Sequence, residues 1–378
     1  MNIGLLGCGN VGHGVQEILD ADTKHDVKIE KILVRRPRNN GDDRFTLVPE
    51  DVTSNDKIDL ACEFMGGVEP AAEFVRTSMK NGKHVVTANK KMLAECMPEM
   101  FSIANENGVE LFFEASVGGG IPWISNIRNI REVDEVFSFR GIINGTTNYI
   151  LSSMEDGKDF EVVLREAQEL GYAEPDPTDD IDGFDTRYKT VISCEEAFDA
   201  YVRPEEIPVF GIRHISSTDM KYAKDNEKTI KLLSRVVKNG DSISASVMPC
   251  MIGFNSELAN VKANSNAIEL TSSNLGKLLF IGQGAGTYPT SHAVVQDVLA
   301  ILNGKKYDYS KLVRGSIDNG AASGVFYIRT AKPEVFADIE DSRADGGAVI
   351  TVNTDLGKIL QLVSIADDPE LFIAEVLQ

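Results

Sequence analysis

Short apolar runs alternate with helical segments along the first third of the chain. The runs predict buried strands at residues 3–6, 27–34, 58–64, 84–90 and 109–113. Between them, apolar residues recur with the helical period at 13–19, at 70–80 and from 92 onward. Strands that alternate with helices in this way build a parallel, doubly wound sheet, whose ligands bind beyond the carboxyl ends of the strands. The pattern therefore predicts an α/β domain over residues 1–130.

The middle of the chain mixes the two periods and predicts α+β structure. Helical patterns cover residues 160–170 and 184–200, and short alternating strands are expected between 245 and 270. A further helix at 291–303 follows a glycine-rich loop. We predict a second, α+β domain over residues 131–281, after which residues 282–305 complete the first domain.

The last part of the chain predicts a small α+β tail over residues 320–378. Its pattern reads as strand, helix, strand, strand and helix, at 325–329, 333–339, 349–352, 358–365 and 369–377. This order resembles a shortened ACT-type regulatory module without its final strand and without the usual glycine before the first helix. An effector site in this ACT-like tail is a hypothesis.

The composition is that of a folded globular protein, and the negative net charge disfavours binding to polyanions. The 378 residues exceed what one hydrophobic core serves, so two or three domains are expected, and 42% hydrophobic with 25% charged residues is ordinary for a globular protein. The net charge of −20 would repel nucleic acid and anionic membrane surfaces, so we predict neither as a partner.

The cysteines and the apolar runs predict a cytoplasmic protein. The five cysteines are odd in number, scattered and free of Cys-x-x-Cys spacing, which is typical of a reducing compartment and argues against structural zinc. No apolar run reaches about 18 residues, and no basic segment precedes the first strand. Neither a transmembrane helix nor a signal peptide is therefore expected.

A glycine-rich turn joins the first predicted strand to the first helix. Residues 7–12 read Gly-Cys-Gly-Asn-Val-Gly, a Gly-x-Gly-x-x-Gly motif in the strand, turn and helix context that gives it meaning. The first glycine permits the tight turn, the second lets the backbone approach a pyrophosphate, and the third lets the helix pack on the strand. A purely structural turn is the alternative. We predict a Rossmann-type dinucleotide site that contains Gly7, Gly9, Asn10, Val11 and Gly12.

Basic residues follow the second strand, where enzymes that use NAD place an acid against the ribose hydroxyls. This chain has Arg35-Arg36-Pro37-Arg38 at that point. Guanidinium groups favour the 2′-phosphate of NADP. We predict that Arg35 and Arg36 select NADP, with NAD as the second candidate cofactor and a basic surface turn as the structural alternative.

Three further strands of the first domain end in polar or glycine-rich turns. Gly66 follows the third strand, Asn89 and Lys90 end the fourth, and Glu114 follows the fifth. Because these ends meet at one edge of a parallel sheet, we expect them to line the same crevice as the glycine motif. A solvated surface lysine is the alternative for Lys90. A second glycine-rich loop, residues 282–290, either approaches the nicotinamide or is only a tight connection.

Carboxylates surround two prolines between Gly171 and Lys189. Proline fixes φ and removes a backbone donor, so a loop of defined shape is predicted. The pattern becomes helical at Phe184, and Asp185 and Lys189 then lie four residues apart on one face. This pair suits the binding and protonation of a small charged substrate. An exposed ion pair worth roughly 0.3–0.5 kcal/mol is the alternative.

A polar turn, Asn-Gly-Thr-Thr-Asn at 144–148, precedes the acidic stretch inside an apolar frame. Its hydroxyl and amide groups suit a carboxylate. They also favour the start of a helix, so a helix cap is the alternative.

Taken in order, seven motifs resemble homoserine dehydrogenase. They are Gly-Cys-Gly-Asn-Val-Gly at 7–12, Val-Thr-Ala-Asn-Lys at 86–90, Glu-Ala-Ser-Val-Gly-Gly-Gly-Ile-Pro at 114–122, Asn-Gly-Thr-Thr-Asn at 144–148, Gly-Tyr-Ala-Glu-Pro-Asp-Pro at 171–177, Asp-Gly-Phe-Asp-Thr-Arg-Tyr-Lys at 182–189 and Gly-Ala-Gly-Thr-Tyr-Pro-Thr at 284–290. The resemblance covers residues 1–305. It implies reversible hydride transfer between NAD(P)H and L-aspartate 4-semialdehyde, which gives L-homoserine for threonine and methionine synthesis.

The resemblance also implies a role for each matching residue. Lys189 matches the proton donor, and the implied catalytic set is Lys189, Asp185 and Lys90, the last bridging cofactor and substrate. Glu174 and Asp185 match residues that hold the substrate's ammonium group, and the implied substrate set is Gly171, Glu174, Asp180, Asp185, Gly145 and Thr146. Gly66, Lys90 and Gly286 join the cofactor set. Glu114, with the backbone carbonyls of Val117, Gly119 and Ile121, matches a sodium site, which oxygen-only ligands suit.

Residues 131–281 would then form the substrate-binding, catalytic and dimerisation domain of a homodimer. Two alternatives stay open. One is another NAD(P)-dependent reductase of an amino-acid semialdehyde or imine. The other is a nucleotide-sensing regulatory protein without catalysis, which would not need Glu174, Asp185 and Lys189 together.

Overall fold

The computed structural model describes residues 1–38, 41–344 and 346–377. The strands are β1 (Asn2–Leu6), β2 (Lys28–Leu33), β3 (Phe45–Thr46), β4 (Leu60–Glu63), β5 (His84–Thr87), β6 (Leu111–Phe112), β7 (Val136–Ile142), β8 (Ala200–Tyr201), β9 (Lys228–Asn239), β10 (Ser242–Gly253), β11 (Ser265–Ser272), β12 (Gly276–Gln283), β13 (Val313–Arg314), β14 (Ser323–Arg329), β15 (Glu340–Arg343), β16 (Val349–Thr351), β17 (Thr354–Asp355) and β18 (Phe372–Val376). The α-helices are α1 (Asn10–Asp20), α2 (Glu50–Thr53), α3 (Ala71–Lys80), α4 (Lys90–Asn107), α5 (Trp123–Arg131), α6 (Gly145–Glu155), α7 (Phe160–Glu169), α8 (Thr178–Ile181), α9 (Phe184–Phe198), α10 (Ser217–Asp225), α11 (Thr287–Leu302) and α12 (Leu356–Ala366).

The chain divides into two compact units. The first comprises Met1–Asn129, Glu195–Tyr201 and Gln283–Val313. The second comprises Ile130–Cys194, Val202–Gly282 and Arg314–Gln378. Within the ranges that the structure describes, no helix is both long and apolar enough to cross a membrane.

The first unit contains the predicted doubly wound sheet. Its six strands lie in the order β3-β2-β1-β4-β5-β6, and every neighbouring pair is parallel. Its core joins apolar residues of these strands, such as Leu5 and Val86, to Val294 and Val298 of α11. The fold class predicted from the alternation of strands and helices is confirmed. The carboxyl ends of β1, β4 and β5 lie side by side at one edge, as that topology requires.

The second unit is built on a mixed sheet in the order β12-β11-β7-β9-β10-β18-β14-β16-β15, with β17 paired to β14. The long antiparallel pair β9 and β10 lies at its centre. Strands were predicted in the β10 and β11 region, but β9 was not predicted. Most of β9 is buried, and Lys231, Ser234 and Arg235 interrupt its apolar residues without the strict alternation that predicts a strand.

The tail differs from its prediction in two segments. Residues 358–365, predicted as a strand, lie in helix α12, whose first turn is capped by the Asp355 side chain. Residues 369–377, predicted as a helix, contain strand β18, which pairs with both β10 and β14. These partners are distant in sequence, so local pattern did not reveal them.

Apart from the two-residue β17, the corrected order of the tail is strand, 3₁₀ helix, two strands, helix and strand. The strands that carry this order, β14, β15, β16 and β18, lie in the sheet as β18-β14-β16-β15, with each neighbouring pair antiparallel. Split βαβ folds have this chain order. The tail therefore has the final strand that its sequence pattern lacked.

Candidate active site

The glycine loop between β1 and α1 has the shape of a phosphate cradle. Gly7 has φ of 107°, and its N–H donates to Leu33 O at 3.2 Å. A Cβ on Gly12 would lie 2.5 Å from Gly7 O, whereas a Cβ on Gly9 would meet no protein atom within 4 Å. Asn10, Val11 and Gly12 form the first turn of α1, whose N–H groups suit a pyrophosphate. The residues of this loop fit a dinucleotide.

Three arginines follow β2 and differ in their contacts. Arg35 and Arg36 are exposed. Arg38 donates from Nη2 to Cys8 O at 2.5 Å, and its guanidinium lies 5.0 Å from the centre of the Phe45 ring. Arg38 therefore attaches this basic turn to the glycine loop. The sequence analysis gave Arg38 no role of its own, because its partner is set by the neighbouring strands.

A buried carboxylate and an amide organise the loop that contains Gly66. Glu63, at the end of β4, accepts from Thr87 Oγ1 at 2.6 Å and from Met65 N at 2.5 Å. Burial raises the pKa of Glu63 to about 7. The Asn89 amide donates to Gly67 O at 2.8 Å and caps α4 through Met92 N. Gly66 is thus held near the start of α4.

Lys90 is half-buried as the first residue of α4. This lysine was predicted at the end of a strand, but the strand stops at Thr87 because Asn89 begins the helix. Asn89 was predicted to line the crevice, whereas no function was predicted for Glu63. An acid at the end of an apolar strand is the signal that would have found Glu63.

Glu114 lies in the turn after β6, where its two carboxylate oxygens accept N–H groups from Ile124 and Ser125 at 2.9 and 2.8 Å. Burial raises its pKa. Gly118 and Gly119 have φ of 79° and 57°, so the chain turns sharply between Val117 and Ile121. One carboxylate and three backbone carbonyls in one tight turn fit a hard cation.

Asp297 lies beside this turn and accepts the backbone N–H of Glu114 at 2.7 Å. Burial, and then the charge of Glu114, raise the pKa of Asp297 to about 8. In the part of the chain that the structure describes, no group of three or more His, Cys, Asp or Glu side chains is placed to hold a metal ion. Any cation site here depends on backbone oxygens.

Gly286 immediately precedes α11 and has φ of 121°. Helix α11 packs on α1, where Ser291 Oγ donates to Val11 O at 2.8 Å. The second glycine-rich loop therefore belongs to the same unit as the first, and its helix contacts the glycine motif directly.

In the second unit, one hydrogen-bonded network joins two acids, an amide and a lysine. Lys189 Nζ donates to Asp185 Oδ2 at 2.7 Å and to Ile143 O at 2.6 Å. Asn144 Nδ2 donates to Asp185 Oδ2 at 2.8 Å and to Asp180 Oδ1 at 2.6 Å. Asp185, Lys189 and Asn144 are buried. This excludes the exposed ion pair that was the alternative for Asp185 and Lys189.

The polar turn and the acidic loop are tied together. Thr146 Oγ1 donates to Tyr172 O at 2.6 Å, and the rings of Tyr149 and Tyr172 meet edge to face at 5.1 Å. Gly145 opens α6, beside Asn264 O. Gly171 begins the loop with φ of 75°. Residues 145–146 and 171–172 are therefore neighbours in space.

The remaining acids of the stretch fall into two groups. Glu174 is exposed, unlike Asp185. Asp182 is paired with Arg213 at 2.7 Å, and Asp176 accepts Thr178 N at 3.2 Å, so both shape the loop. Asn144 lies in the polar turn that was predicted to suit a carboxylate or to cap a helix. Its contacts with Asp180 and Asp185 were not predicted, because these acids lie 36 and 41 residues further along the chain.

Comparison with known proteins gives consistent results. A family model described as homoserine dehydrogenase, NAD binding domain, matches residues 7–114, and one described as homoserine dehydrogenase matches residues 122–299. Homoserine dehydrogenase of Bacillus subtilis strain 168 is 32% identical over 391 residues, covering 100% of this chain and 87% of the relative.

Solved structures give the same result. A homoserine dehydrogenase from Thiobacillus denitrificans matches with a TM-score of 0.90 and 31% identity, covering 100% of this chain and 98% of its own. A hyperthermophilic archaeal homoserine dehydrogenase mutant in complex with NADPH matches with a TM-score of 0.70 and 25% identity, covering 80% of this chain and 98% of its own. With its glycine loop and its buried lysine network, the chain belongs to the homoserine dehydrogenase family.

Proposed function

We propose that this chain reversibly reduces L-aspartate 4-semialdehyde to L-homoserine, with NADP as its preferred cofactor and Lys189 as the proton donor. The observation that carries the proposal is the buried network in which Lys189 Nζ lies 2.7 Å from Asp185 Oδ2. A buried amine held in place by a carboxylate is a suitable general acid for an aldehyde that becomes an alcohol.

The mechanism assigns each step at the aldehyde to one group. When bound, the nicotinamide supplies the hydride that the aldehyde carbon accepts. The aldehyde oxygen then gains negative charge, which the Lys189 ammonium stabilises and protonates. Because Ile143 O and Asp185 hold Nζ at 2.6 and 2.7 Å, the amine is oriented before substrate binds. In the oxidation of homoserine the neutral amine takes the same proton back.

The ammonium and carboxylate groups of the substrate bind at separate places in the second unit. Glu174 and Asp185 hold its ammonium group, with Asp180 in support, and Gly171 shapes the loop around it. Gly145 and Thr146 offer N–H groups in the first turn of α6, where the helix dipole favours a carboxylate. An amino-acid aldehyde satisfies all three positions, which is why a simple aldehyde would be a poor substrate.

The cofactor is held by the first unit. Gly7, Gly9, Asn10, Val11 and Gly12 receive its pyrophosphate, Arg35 and Arg36 its 2′-phosphate, and Gly66, Lys90 and Gly286 complete the site. The NADPH complex of the archaeal relative supports a phosphorylated cofactor. Comparable kcat/KM for NAD and NADP would contradict the role given to Arg35 and Arg36.

A sodium ion bound by Glu114, Val117, Gly119 and Ile121 would stabilise the turn after β6. Replacing sodium by tetramethylammonium at constant ionic strength should then lower the Tm, because a ligand that binds only the folded chain stabilises it. An unchanged Tm argues against the ion.

Two proposals concern the whole chain. We propose a homodimer, which sedimentation should show as a species of twice the 41.3 kDa chain mass, whereas a monomer would contradict it.

We also propose that residues 320–378 act as an ACT-like regulatory tail. Its strand, helix, two strands, helix and strand order supports this. Threonine is the first candidate effector of this tail. Initial rates that do not respond to threonine would exclude it.

Replacing Lys189 by methionine tests the central assignment. Loss of the general acid should lower kcat by about 10²-fold to 10⁴-fold in both directions, while NADPH binding is retained. Lys221→Met is a matched control, because Lys221 forms an exposed pair with Asp225 at 2.6 Å in the same unit. Near-normal turnover in Lys189→Met would refute the proposal.

A further inference from the structure

The side chain of Asn144 makes three hydrogen bonds, and only one of them belongs to its helix. Its Oδ1 accepts Thr147 N–H at 2.8 Å and caps α6. Its Nδ2 donates to Asp180 Oδ1 at 2.6 Å and to Asp185 Oδ2 at 2.8 Å. A flipped amide would turn its oxygen towards two carboxylates, so the network allows one orientation. Asn144 is 4% exposed, so solvent has little access to its amide.

Asp185 Oδ2 is shared between two donors. Lys189 Nζ lies 2.7 Å from this oxygen, and Asn144 Nδ2 lies 2.8 Å from it. The hydrogen bond from the neutral amide disperses part of the negative charge, so the carboxylate holds the lysine proton less strongly than it would alone. Lys189 Nζ also donates to the carbonyl of Ile143, the preceding residue. Two consecutive residues thus hold both members of the pair.

We infer that Asn144 is a positioning residue for proton transfer by Lys189: it orients the Asp185 carboxylate and moderates its attraction for the lysine proton. The inference rests on the proposed role of Lys189. The charged groups that these bonds bring to Asn144 are Asp180 of α8 and Asp185 of α9, with Lys189 reached through Asp185. The amide donates to both carboxylates and so joins Asp180 to Asp185.

The substitution Asn144→Ser separates the two functions of this residue. Serine is a good helix cap, so α6 keeps its first hydrogen bond while both side-chain N–H donors are lost. The full charge of Asp185 then acts on the lysine. For aldehyde reduction, kcat should fall about tenfold, and the alkaline limb of its pH profile should move to higher pH by about half a unit or more.

Asn148→Ser is the matched control. Asn148 belongs to the same turn, is 1% exposed, donates to Val261 O at 3.2 Å and to Ser265 O at 3.1 Å, and accepts from Lys231 Nζ at 3.0 Å. None of these partners is Asp180, Asp185 or Lys189. This variant should lose thermal stability but keep the wild-type midpoint of the pH profile. A role of Asn144 in folding alone would make the two variants behave alike.

Each outcome bears on one assignment. An unmoved midpoint in Asn144→Ser overturns the inference, whatever the value of kcat, and leaves helix capping as the function of Asn144. If the serine variant does not fold, Asn144→Asp keeps size and cap but replaces donors by an acceptor, and its midpoint should move further in the same direction. An unmoved midpoint there overturns the inference equally.

The variant Lys189→Met distinguishes failure of the inference from failure of the proposed function. Persistence of the alkaline limb in that variant means that Lys189 is not the titrating group, and both assignments fall. Loss of the limb in Lys189→Met, together with an unmoved midpoint in Asn144→Ser, removes only the role of Asn144.

Discussion

Single buried acids are stabilised in different ways in the two units. Glu63 and Asp297 of the first unit accept hydrogen bonds from neutral groups, and burial raises their pKa values to about 7 and about 8. Asp185 of the second unit is equally buried but lies against the Lys189 ammonium. The first two acids therefore respond to pH near neutrality, whereas Asp185 is paired with a cation.

Glu63 should make folding stability depend on pH. Its pKa is raised from 4.5 to about 7, so the folded state binds the proton more tightly than the unfolded state. The resulting stabilisation is fully present below pH 4.5 and is lost as the pH rises through 7, a change of about 3 kcal/mol. We expect Glu63→Gln to flatten this fall.

Urea unfolding of Glu63→Gln and of the wild type between pH 5 and pH 8 measures the effect directly. Asp297 contributes a similar slope to both proteins, so only the difference between them reports on Glu63. Parallel stability curves for the two proteins would contradict the expectation.

At the scale of elements, the loop between β1 and α1 needs two of its glycines for different reasons. Gly12 is required by packing, and Gly9 by cofactor binding. In Gly12→Ala the new Cβ would lie 2.5 Å from Gly7 O, so the loop must shift. We expect a loss of roughly 1–3 kcal/mol of unfolding free energy together with weak NADPH binding.

Gly9→Ala is the control for the same loop. Its Cβ would meet no protein atom within 4 Å, so stability should stay within about 0.5 kcal/mol of the wild type while NADPH binding weakens. Denaturant unfolding without cofactor and fluorescence titration with NADPH separate the two effects. Equal stabilities for the two variants would show that Gly12 is not sterically required.

At the scale of the molecule, the tail shares a core with the middle of the chain. Apolar residues of the tail, such as Phe326 and Ile373, pack in one cluster with Met248 and Cys250 of β10. Strand β18 pairs with β10 in parallel, so the tail extends the same sheet. Regulatory binding to the tail would therefore act on a sheet that the catalytic region also uses.

Truncating a buried tail residue should destabilise the second unit as a whole. Ile373 is 1% exposed, and Ile373→Ala should cost roughly 2–5 kcal/mol. Ile365 is 61% exposed, so Ile365→Ala should change stability by less than about 0.5 kcal/mol. Denaturant unfolding monitored by homoserine oxidation and by far-ultraviolet dichroism tests this. Full activity after loss of the tail structure would show that the two regions unfold independently.

Local pattern determined much of this protein. The glycine motif, the alternation that builds the parallel sheet, and the Asp185 and Lys189 spacing all act over a few residues, so they are visible along the chain. The carboxyl ends of parallel strands must share an edge, which is why Gly66 and Glu114 could be assigned to the first unit from sequence.

The tertiary structure decided what depends on partners far along the chain. Strand β9 and strand β18 exist because of their neighbours in the sheet, and the segment from Pro369 was misassigned for that reason. The burial of Asp185 with Lys189 showed that they form a buried pair and not a surface ion pair. The two donors of Asn144 point at acids about forty residues away, and only folding could show that a helix cap also orients the lysine's carboxylate.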